Sequence, residues 1–272
     1  MARSARIVVP GAAHHVTQRG NDRQAVFFEE DDRLRYLAYL RESAVLYGVG
    51  ITAYCLMTNH VHLVAVPETE DALSKTVGRT HLLYAQHVHH IRKRSGHFWQ
   101  GRYYSCPLDE LHAYNVAAYV ELNPVRAGLA RLAWEYPWSS AAVHCTGVND
   151  ASGLLDLNVW SENMTGAVWK ETLDTILQRD GIASKIREHT RTGRPLGDSA
   201  FLKRVEDSLN GTLPALRGRP RKDGVDSDGE RNYRQDRVRE RTGRSFDYVG
   251  ENVQPIILNR VLKDELKGVT SE

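Results

Sequence analysis

The chain has 272 residues, of which 41% are hydrophobic and 26% charged, as is typical of a globular protein with one large or two ordinary domains. No apolar run approaches the roughly 20 residues that a membrane helix requires, and the apolar patch before Pro10 is too short for a signal peptide. Composition therefore argues against a membrane partner, and we expect a cytoplasmic protein.

Charge and cysteine content narrow the class of protein further. The net charge is only +2, yet basic residues cluster at 92–94, 187–194 and 217–222, a weak indication of nucleic-acid binding. For each cluster taken alone, a solvated surface is the simpler interpretation. The three cysteines lie far apart and form no CxxC pair, so they predict buried thiols and not a zinc site.

The N-terminal part of the chain predicts alternating strands and helices. Residues 12–20 indicate a strand, and residues 30–48 indicate a helix with acidic residues in its first turn. Residues 50–57 are rich in β-forming types, and a two-residue tight turn joins them to a returning strand at 60–66.

A longer helix at 70–92, an aromatic-rich strand at 97–107 and a further helix at 109–123 come next. The last helix has to end near Asn123, because Pro124 disfavours helical geometry in the residue before it. The order β-α-β-β-α-β plus an extra helix predicts a ferredoxin-like α+β fold with an antiparallel sheet. The two crossover helices should cover one face of this sheet, and the extra helix should cap the open face.

The character of the sequence changes after about residue 143, where turn-forming residues indicate a boundary. Helices at 167–181 and 198–211 predict a small helical unit over residues 160–216. Beyond this unit the chain is highly charged, and only residues 253–266 have the pattern of a short helix. We therefore divide the chain into segments 1–143, 160–222 and 223–272, the last a charged tail in which residues up to 252 are given no fold.

Two histidines, His60 and His62, stand one residue apart in the strand at 60–66. Alternate side chains of a strand lie on one face, so both imidazoles project together. If Val61, Leu63 and Ala65 pack against the crossover helices, the imidazoles point to the open face of the sheet. Two imidazoles placed in this way can hold one divalent metal and leave coordination positions for substrate oxygen. The alternative is a pair of hydrogen-bonded sheet histidines, and the strand alone leaves both interpretations open.

The helix at 109–123 carries a polar stripe on a largely apolar surface, formed by His112, Asn115, Tyr119 and Asn123. If the stripe faces the histidines, Asn123 offers an amide oxygen as a third ligand and Tyr119 holds its hydroxyl over the metal. The alternative makes Tyr119 a half-buried core residue and Asn123 a helix C-cap. Spacing alone does not separate these two possibilities.

Several segments resemble the REP-associated tyrosine transposases of the HUH superfamily, relatives of small single-strand insertion-sequence transposases. The resemblance covers most of residues 5–222, and one departure from the family pattern is Thr58, where many relatives carry proline. RTGRPLG (191–197) and RGRPRK (217–222) are similar to the C-terminal part of the family. The segments that carry the family's motifs are HHVTQRGND (14–22), AYCLMTNHVHLV (53–64), FWQGRYYS (98–105) and AAYVELNPVRAGL (117–129).

The resemblance implies a role for each matched residue. His60 and His62 correspond to the metal ligands, Asn123 to a further ligand, and the ion would be one Mg²⁺ or Mn²⁺ per site. Tyr119 corresponds to the nucleophile, which would attack a phosphate of single-stranded DNA beside a hairpin. The products would be a covalent 5′-phosphotyrosine and a free 3′-hydroxyl. Residues 1–143 would then form the catalytic domain.

DNA contacts are expected near the same motifs, from Arg19, Arg102 and Arg126. Residues 160–222 would form a helical DNA-binding region. Its basic end resembles an AT-hook that enters a narrow minor groove, and it contains Arg217, Arg219 and Arg221. Among the aromatic residues at 98–104, we expect Trp99 and Tyr103 in the core and Phe98 and Tyr104 available to stack on bases.

Two other functions remain compatible with parts of the sequence. A non-catalytic protein that binds repeat hairpins would need the basic surfaces but not Tyr119. A metal phosphoesterase would use His60 and His62 with water as the nucleophile. The site can form within one subunit or across two, so a monomer or a homodimer is expected.

Overall fold

The computed structural model describes residues 6–158, 160, 164–179 and 181–209. Four strands lie in these residues: β1 (Ala13–Arg19), β2 (Val49–Met57), β3 (His60–Pro67) and β4 (Tyr104–Leu108). The longer helices are α1 (Glu30–Tyr47), α2 (Ala72–Arg92), α3 (Glu110–Glu121), α6 (Gly166–Gln178), α7 (Ile182–Thr192) and α8 (Ser199–Ser208). Two short helices, α4 (Asn123–Arg126) and α5 (Ala141–Thr146), lie between α3 and α6.

The strands form one antiparallel sheet in the order β2-β3-β1-β4, which confirms the predicted ferredoxin-like α+β fold. Val61, Leu63 and Ala65 are buried in a core shared with apolar residues of α1 and α2. Val64, on the opposite face of β3, is buried in a second core with α3. The crossover helices therefore cover one face and α3 caps the other, as predicted.

A two-residue turn places His60 at the start of β3. Thr58 and Asn59 join β2 to β3, and the Asn59 carbonyl accepts a hydrogen bond from the Gly20 amide at the end of β1, 2.9 Å away. The Thr58 carbonyl accepts from the Val26 amide at 2.9 Å. These bonds anchor the turn on the segment after β1, so the beginning of β3 is held beside the end of β1.

The second core extends well beyond α3. It contains Trp169 and Leu173 of α6 and Ile186 of α7, all almost completely buried together with Val116 and Val120 of α3. Of the two helices predicted for the C-terminal region, α6 thus packs on the same face of the sheet as α3, whereas Phe201 and Val205 of α8 lie in a separate small cluster with Ile7. Whether segment 160–222 has a DNA-binding role of its own stays a prediction.

Several predicted boundaries are wrong. The strand at 97–107 is shorter than predicted, since Tyr104–Leu108 pairs along β1 and only an isolated bridge joins Trp99 to Gly20. The Trp99 indole N–H donates to the His81 carbonyl of α2 at 3.0 Å. The helix at 109–123 ends at Glu121, and Pro124 lies in the first turn of α4. Helices α5 and α7 were not predicted.

Parts of the predicted C-terminal region lie outside the described residues. These are residues 210–222, which contain the AT-hook-like segment, the tail at 223–272, and the short helix predicted at 253–266. Within the described part of the chain, no helix is both long and apolar enough to cross a membrane.

Candidate active site

A cleft of about 410 Å³ opens on the α3 face of the sheet, between β1, β3, α3 and α7. It brings together residues from both ends of the described chain. The cleft is lined by His15, Thr17, Arg19, Met57, His60, His62, Gln100, Tyr104, Tyr119, Asn123, Arg126, Ala127, Arg187, Thr190 and Arg191. Both predicted histidines, the predicted tyrosine and the predicted asparagine are therefore in one cleft of one chain.

The histidine pair projects from β3 as the strand alternation predicts. The ring centroids of His60 and His62 are 4.9 Å apart. His62 is buried, and its Nδ1 lies 3.0 Å from Nε2 of His15 on the neighbouring strand. His15 in turn lies 2.7 Å from the Thr190 hydroxyl of α7, through its Nδ1. Burial lowers the pKa of His60 to about 4 and that of His15 to about 3, so both are neutral at pH 7.

The proton position on His60 follows from its neighbour Asn59. The Asn59 amide nitrogen donates to the Arg23 carbonyl at 3.0 Å, so the amide oxygen is the atom that faces His60, 2.6 Å from Nδ1. An amide oxygen can only accept a hydrogen bond, which requires the proton of neutral His60 on Nδ1. The Nε2 atom of His60 then keeps a lone pair that can bind a metal.

Tyr119 lies against the histidines from the opposite wall of the cleft. Its ring meets the rings of His62 and His15 edge to face, with centroid distances of 5.9 and 5.8 Å, and it is only 4% exposed. Burial raises the pKa of the Tyr119 hydroxyl, and the positive charges of Arg187, Arg126 and Arg19 oppose that rise. The cleft thus holds a buried phenol among positive charges.

Asn123 follows α3 and has one of the two roles considered for it, that of a helix cap. Its amide nitrogen donates to the carbonyls of Tyr119 and Val120, at 2.9 and 3.1 Å, and so caps the end of the helix. The amide oxygen takes no part in those two bonds, because carbonyl oxygens accept only. A side chain that caps α3 through its nitrogen therefore still has an oxygen to offer a cation.

The predicted polar stripe of α3 is only half correct. Tyr119 and Asn123 line the cleft, but His112 and Asn115 do not. His112 instead contacts the helix N-cap, with its Nδ1 2.7 Å from the Asp109 carboxylate. The i, i+3, i+7 spacing missed this because a residue in the first turn of a helix can bond the cap instead of projecting sideways.

Of the four arginines that line the cleft, two were predicted from the sequence and two were not. Arg19 and Arg126 were predicted and line it, and Arg126 also donates to the Tyr119 carbonyl at 3.1 Å. Arg187 and Arg191 of α7 were missed, because their basic cluster was interpreted as solvated surface. Their signal was the spacing of Ile182, Ile186 and Thr190, which gives α7 one buried face.

Only one of the four other predicted DNA contacts falls within the described residues. Arg102 is exposed and does not line the cleft. Arg217, Arg219 and Arg221 lie outside the described residues.

Of the aromatic residues at 98–104, only Tyr104 is open to the cleft, with 48% of its surface exposed. Tyr103 is buried as predicted. The expectation that Phe98 is available for bases is wrong, because it is 6% exposed and packs edge to face on Tyr84 of α2. Tyr104 is therefore the only one of these four rings that the cleft leaves open to stacking.

Metal-binding groups in the cleft are few. Over the described ranges, no group of three or more histidine, cysteine, aspartate and glutamate side chains is placed to hold a metal ion. A metal bound by His60 and His62 would need amide or substrate oxygens to complete its coordination.

Comparison with known proteins finds a family that is similar to part of the chain. Residues 8–123 match the family described as "Transposase IS200 like", a segment that contains β1 to α3 and includes His60, His62, Tyr119 and Asn123. No curated protein sequence matches the chain.

Two solved structures are similar to parts of the chain. A REP-associated tyrosine transposase bound to a REP hairpin is 18% identical, with 58% of this chain and 94% of that chain covered and a TM-score of 0.46. A putative transposase from Deinococcus radiodurans is 21% identical, with 44% of this chain and 96% of that chain covered and a TM-score of 0.31. The match over residues 8–123 agrees with the resemblance found in the sequence: this part of the chain is similar to IS200-like transposases.

Proposed function

We propose that the protein is a metal-dependent transposase that cuts and rejoins single-stranded DNA beside hairpin repeats through a covalent 5′-phosphotyrosine at Tyr119. The observation that carries the proposal is the packing of the Tyr119 ring against His62, with 5.9 Å between ring centroids, in a cleft bordered by arginines. Neither a non-catalytic hairpin-binding protein nor a phosphoesterase requires a tyrosine at that position.

The residues of the cleft fit one divalent ion, Mg²⁺ or Mn²⁺. His60 and His62 would bind it through imidazole nitrogens and Asn123 through its amide oxygen, with the remaining positions open to phosphate oxygens. Bound there, the ion would neutralise charge that develops on the scissile phosphate. The fixed Nδ1–H form of His60 supports this assignment, because it leaves Nε2 able to coordinate.

Tyr119 supplies the nucleophile in this proposal. Its oxygen attacks the phosphorus, a Tyr–O–P bond forms, and the bond between phosphorus and the 3′ oxygen of the preceding nucleotide breaks. The phenolic proton is passed to that oxygen, which leaves as a 3′-hydroxyl. Attack by a 3′-hydroxyl on the phosphotyrosine reverses the exchange and rejoins the strand, so no ATP is consumed.

The arginines and Tyr104 would hold the DNA. Arg19, Arg126, Arg187 and Arg191 border the cleft, where guanidinium groups can bind phosphates on both sides of the scissile bond. The exposed Tyr104 ring can stack on a base. The sequence resemblance to REP-associated transposases makes a repeat hairpin the proposed substrate, with Arg102, Arg217, Arg219 and Arg221 as further proposed contacts.

An adduct assay tests the proposal. The protein is incubated with single-stranded hairpin repeats from its own genome, each with unpaired flanks, in Mn²⁺ or in EDTA, and the products are separated in SDS. We expect a metal-dependent adduct that survives SDS and an equimolar fragment with a 3′-hydroxyl. Hydrolysed DNA without adduct would favour the phosphoesterase, and hairpin binding without cleavage would favour the non-catalytic protein.

Arg187→Gln should weaken binding of single-stranded DNA roughly three- to tenfold. The slope of log affinity against log salt concentration should become shallower by about 0.7. The physical reason is the loss of one phosphate contact at the cleft. The measurement is a fluorescence-anisotropy titration over a range of salt concentrations. Lys185→Gln is the matched control, since Lys185 is exposed on the same helix but does not line the cleft. Equal losses in the two variants would refute a specific role for Arg187.

A mixture of Tyr119→Phe protein and His62→Ala protein should form no more adduct than either variant alone. Tyr119 and His62 face each other within one chain, so each variant lacks one half of its own site. The same adduct assay on the mixture gives the answer. Recovery of adduct after mixing would show that Tyr119 of one subunit works with the histidines of another.

A further inference from the structure

A row of three hydrogen-bonded side chains, Thr190, His15 and His62, connects α7 to the histidine pair. The hydroxyl proton of Thr190 has a fixed acceptor. The Thr190 hydroxyl donates to the Ile186 carbonyl, 2.8 Å away, because a carbonyl can only accept. A hydroxyl has a single proton, so the 2.7 Å contact between the Thr190 oxygen and His15 Nδ1 requires an N–H on the imidazole. His15 therefore has its proton on Nδ1.

The proton position on His15 in turn determines the proton position on His62. A neutral imidazole has one N–H, so Nε2 of His15 bears a lone pair and accepts a hydrogen bond from Nδ1 of His62 at 3.0 Å. The ring planes differ by only 8°, and the centroids are 5.2 Å apart while the two nitrogens are 3.0 Å apart. The rings therefore lie nearly in one plane, and the N–H of one points at the lone pair of the other. His62 then has its proton on Nδ1, and Nε2 is left as the metal-binding nitrogen.

We infer that His15 and Thr190 are positioning residues that fix the metal-binding tautomer of His62. The inference rests on the proposed metal site and deepens it, because α7 lies outside the family-matched residues 8–123 and yet determines which nitrogen His62 presents. His60 obtains the same tautomer separately, from Asn59. Both ligands are thus oriented before any metal binds, each by a different part of the chain.

The first test reads the tautomer of His62 directly in metal-free protein. Long-range ¹H–¹⁵N spectra of histidine-labelled protein distinguish an imidazole with its proton on Nδ1 from one with its proton on Nε2, and the His62→Asn variant identifies the His62 signals. We expect the Nδ1–H form in wild type and a shift toward Nε2–H in His15→Phe. An Nε2–H signal for His62 in wild type, or no change in His15→Phe, overturns the inference.

The second test measures Mn²⁺ affinity by electron paramagnetic resonance of the free ion. His15→Phe and Thr190→Val should weaken binding about 10–100-fold, whereas Thr190→Ser, which keeps the hydroxyl, should bind like wild type. His15→Gln, which offers an acceptor to His62 and a donor to Thr190, should recover part of the affinity. Thermal melting identifies any variant that fails to fold. If His15→Phe fails to fold, the Mn²⁺ affinity of Thr190→Val decides the test instead.

Failure of this inference can be told apart from failure of the proposed function. A protein that forms no adduct, or binds no Mn²⁺, contradicts the proposed chemistry, but the tautomer of His62 in metal-free protein still decides the role of His15. Conversely, a normal adduct with unchanged Mn²⁺ affinity in both His15→Phe and Thr190→Val overturns the positioning role and leaves the proposed function intact.

Discussion

Tyr119→Phe should lower formation of the covalent DNA adduct by on the order of 10⁴-fold or more. The substitution removes only the hydroxyl, and the ring keeps its edge-to-face contacts with His62 and His15. The fold, the proposed metal site and the affinity for DNA should therefore change little. The measurement is the rate of adduct formation on a cognate hairpin under single-turnover conditions, with DNA affinity measured separately by anisotropy.

Tyr104→Phe is the matched control, because Tyr104 also lines the cleft. It keeps the aromatic ring for base stacking and loses only a hydroxyl that the proposed chemistry does not use, so adduct formation should remain within a few-fold of wild type. If Tyr104→Phe abolishes the adduct and Tyr119→Phe does not, the nucleophile has been assigned to the wrong tyrosine.

Glu121→Ala should lower the free energy of unfolding by about 3–5 kcal/mol. The Glu121 carboxylate is completely buried at the end of α3, and three donors surround it. The Ser140 hydroxyl lies 2.5 Å from it, His144 Nδ1 2.6 Å and the Trp169 indole nitrogen 2.7 Å. Alanine would leave these donors buried without their acceptor, which is the costly way to break such a network.

Chemical denaturation and thermal melting measure this loss, and the melting midpoint should fall by roughly 10 °C. Glu110→Ala is the control on the same helix, since Glu110 is exposed in the first turn of α3 and its removal should cost only a few tenths of a kcal/mol. A Glu121→Ala protein as stable as Glu110→Ala would show that the buried network contributes nothing net. Because Glu121 is two residues from Tyr119, the loosened helix should also lower adduct formation.

The sheet and the histidine pair were predictable because their signals are local. The alternation along β3 is enough to place His60 and His62 on one face and Val61 and Leu63 on the other, and the structure has this arrangement. The order of strands and helices followed from hydrophobic periodicity and from turn residues between the elements. Each of these inferences depends on residues only a few positions apart in the chain.

The parts that were missed depend on contacts between distant residues. His15 has no pattern around it that predicts a bond to Thr190, which lies 175 positions away. Arg187 has the appearance of a surface residue until the packing of α7 against β4 and β1 brings it to the cleft. Residues 97–103 have a strand-like composition, yet only Trp99 among them forms a bridge, to Gly20, and its indole N–H bonds to α2. Local propensity cannot anticipate such choices, because tertiary packing decides them.

Mass spectrometry of the trapped complex is the most direct test of Tyr119 as the nucleophile. Wild-type protein is allowed to react with a hairpin oligonucleotide, the complex is digested with protease and nuclease, and the peptide that retains a nucleotide is sequenced. We predict a single modified peptide, with a 5′-linked phosphate on the oxygen of Tyr119. A nucleotide on any other residue, or an unmodified Tyr119 in protein that has cleaved its DNA, would contradict the proposed mechanism.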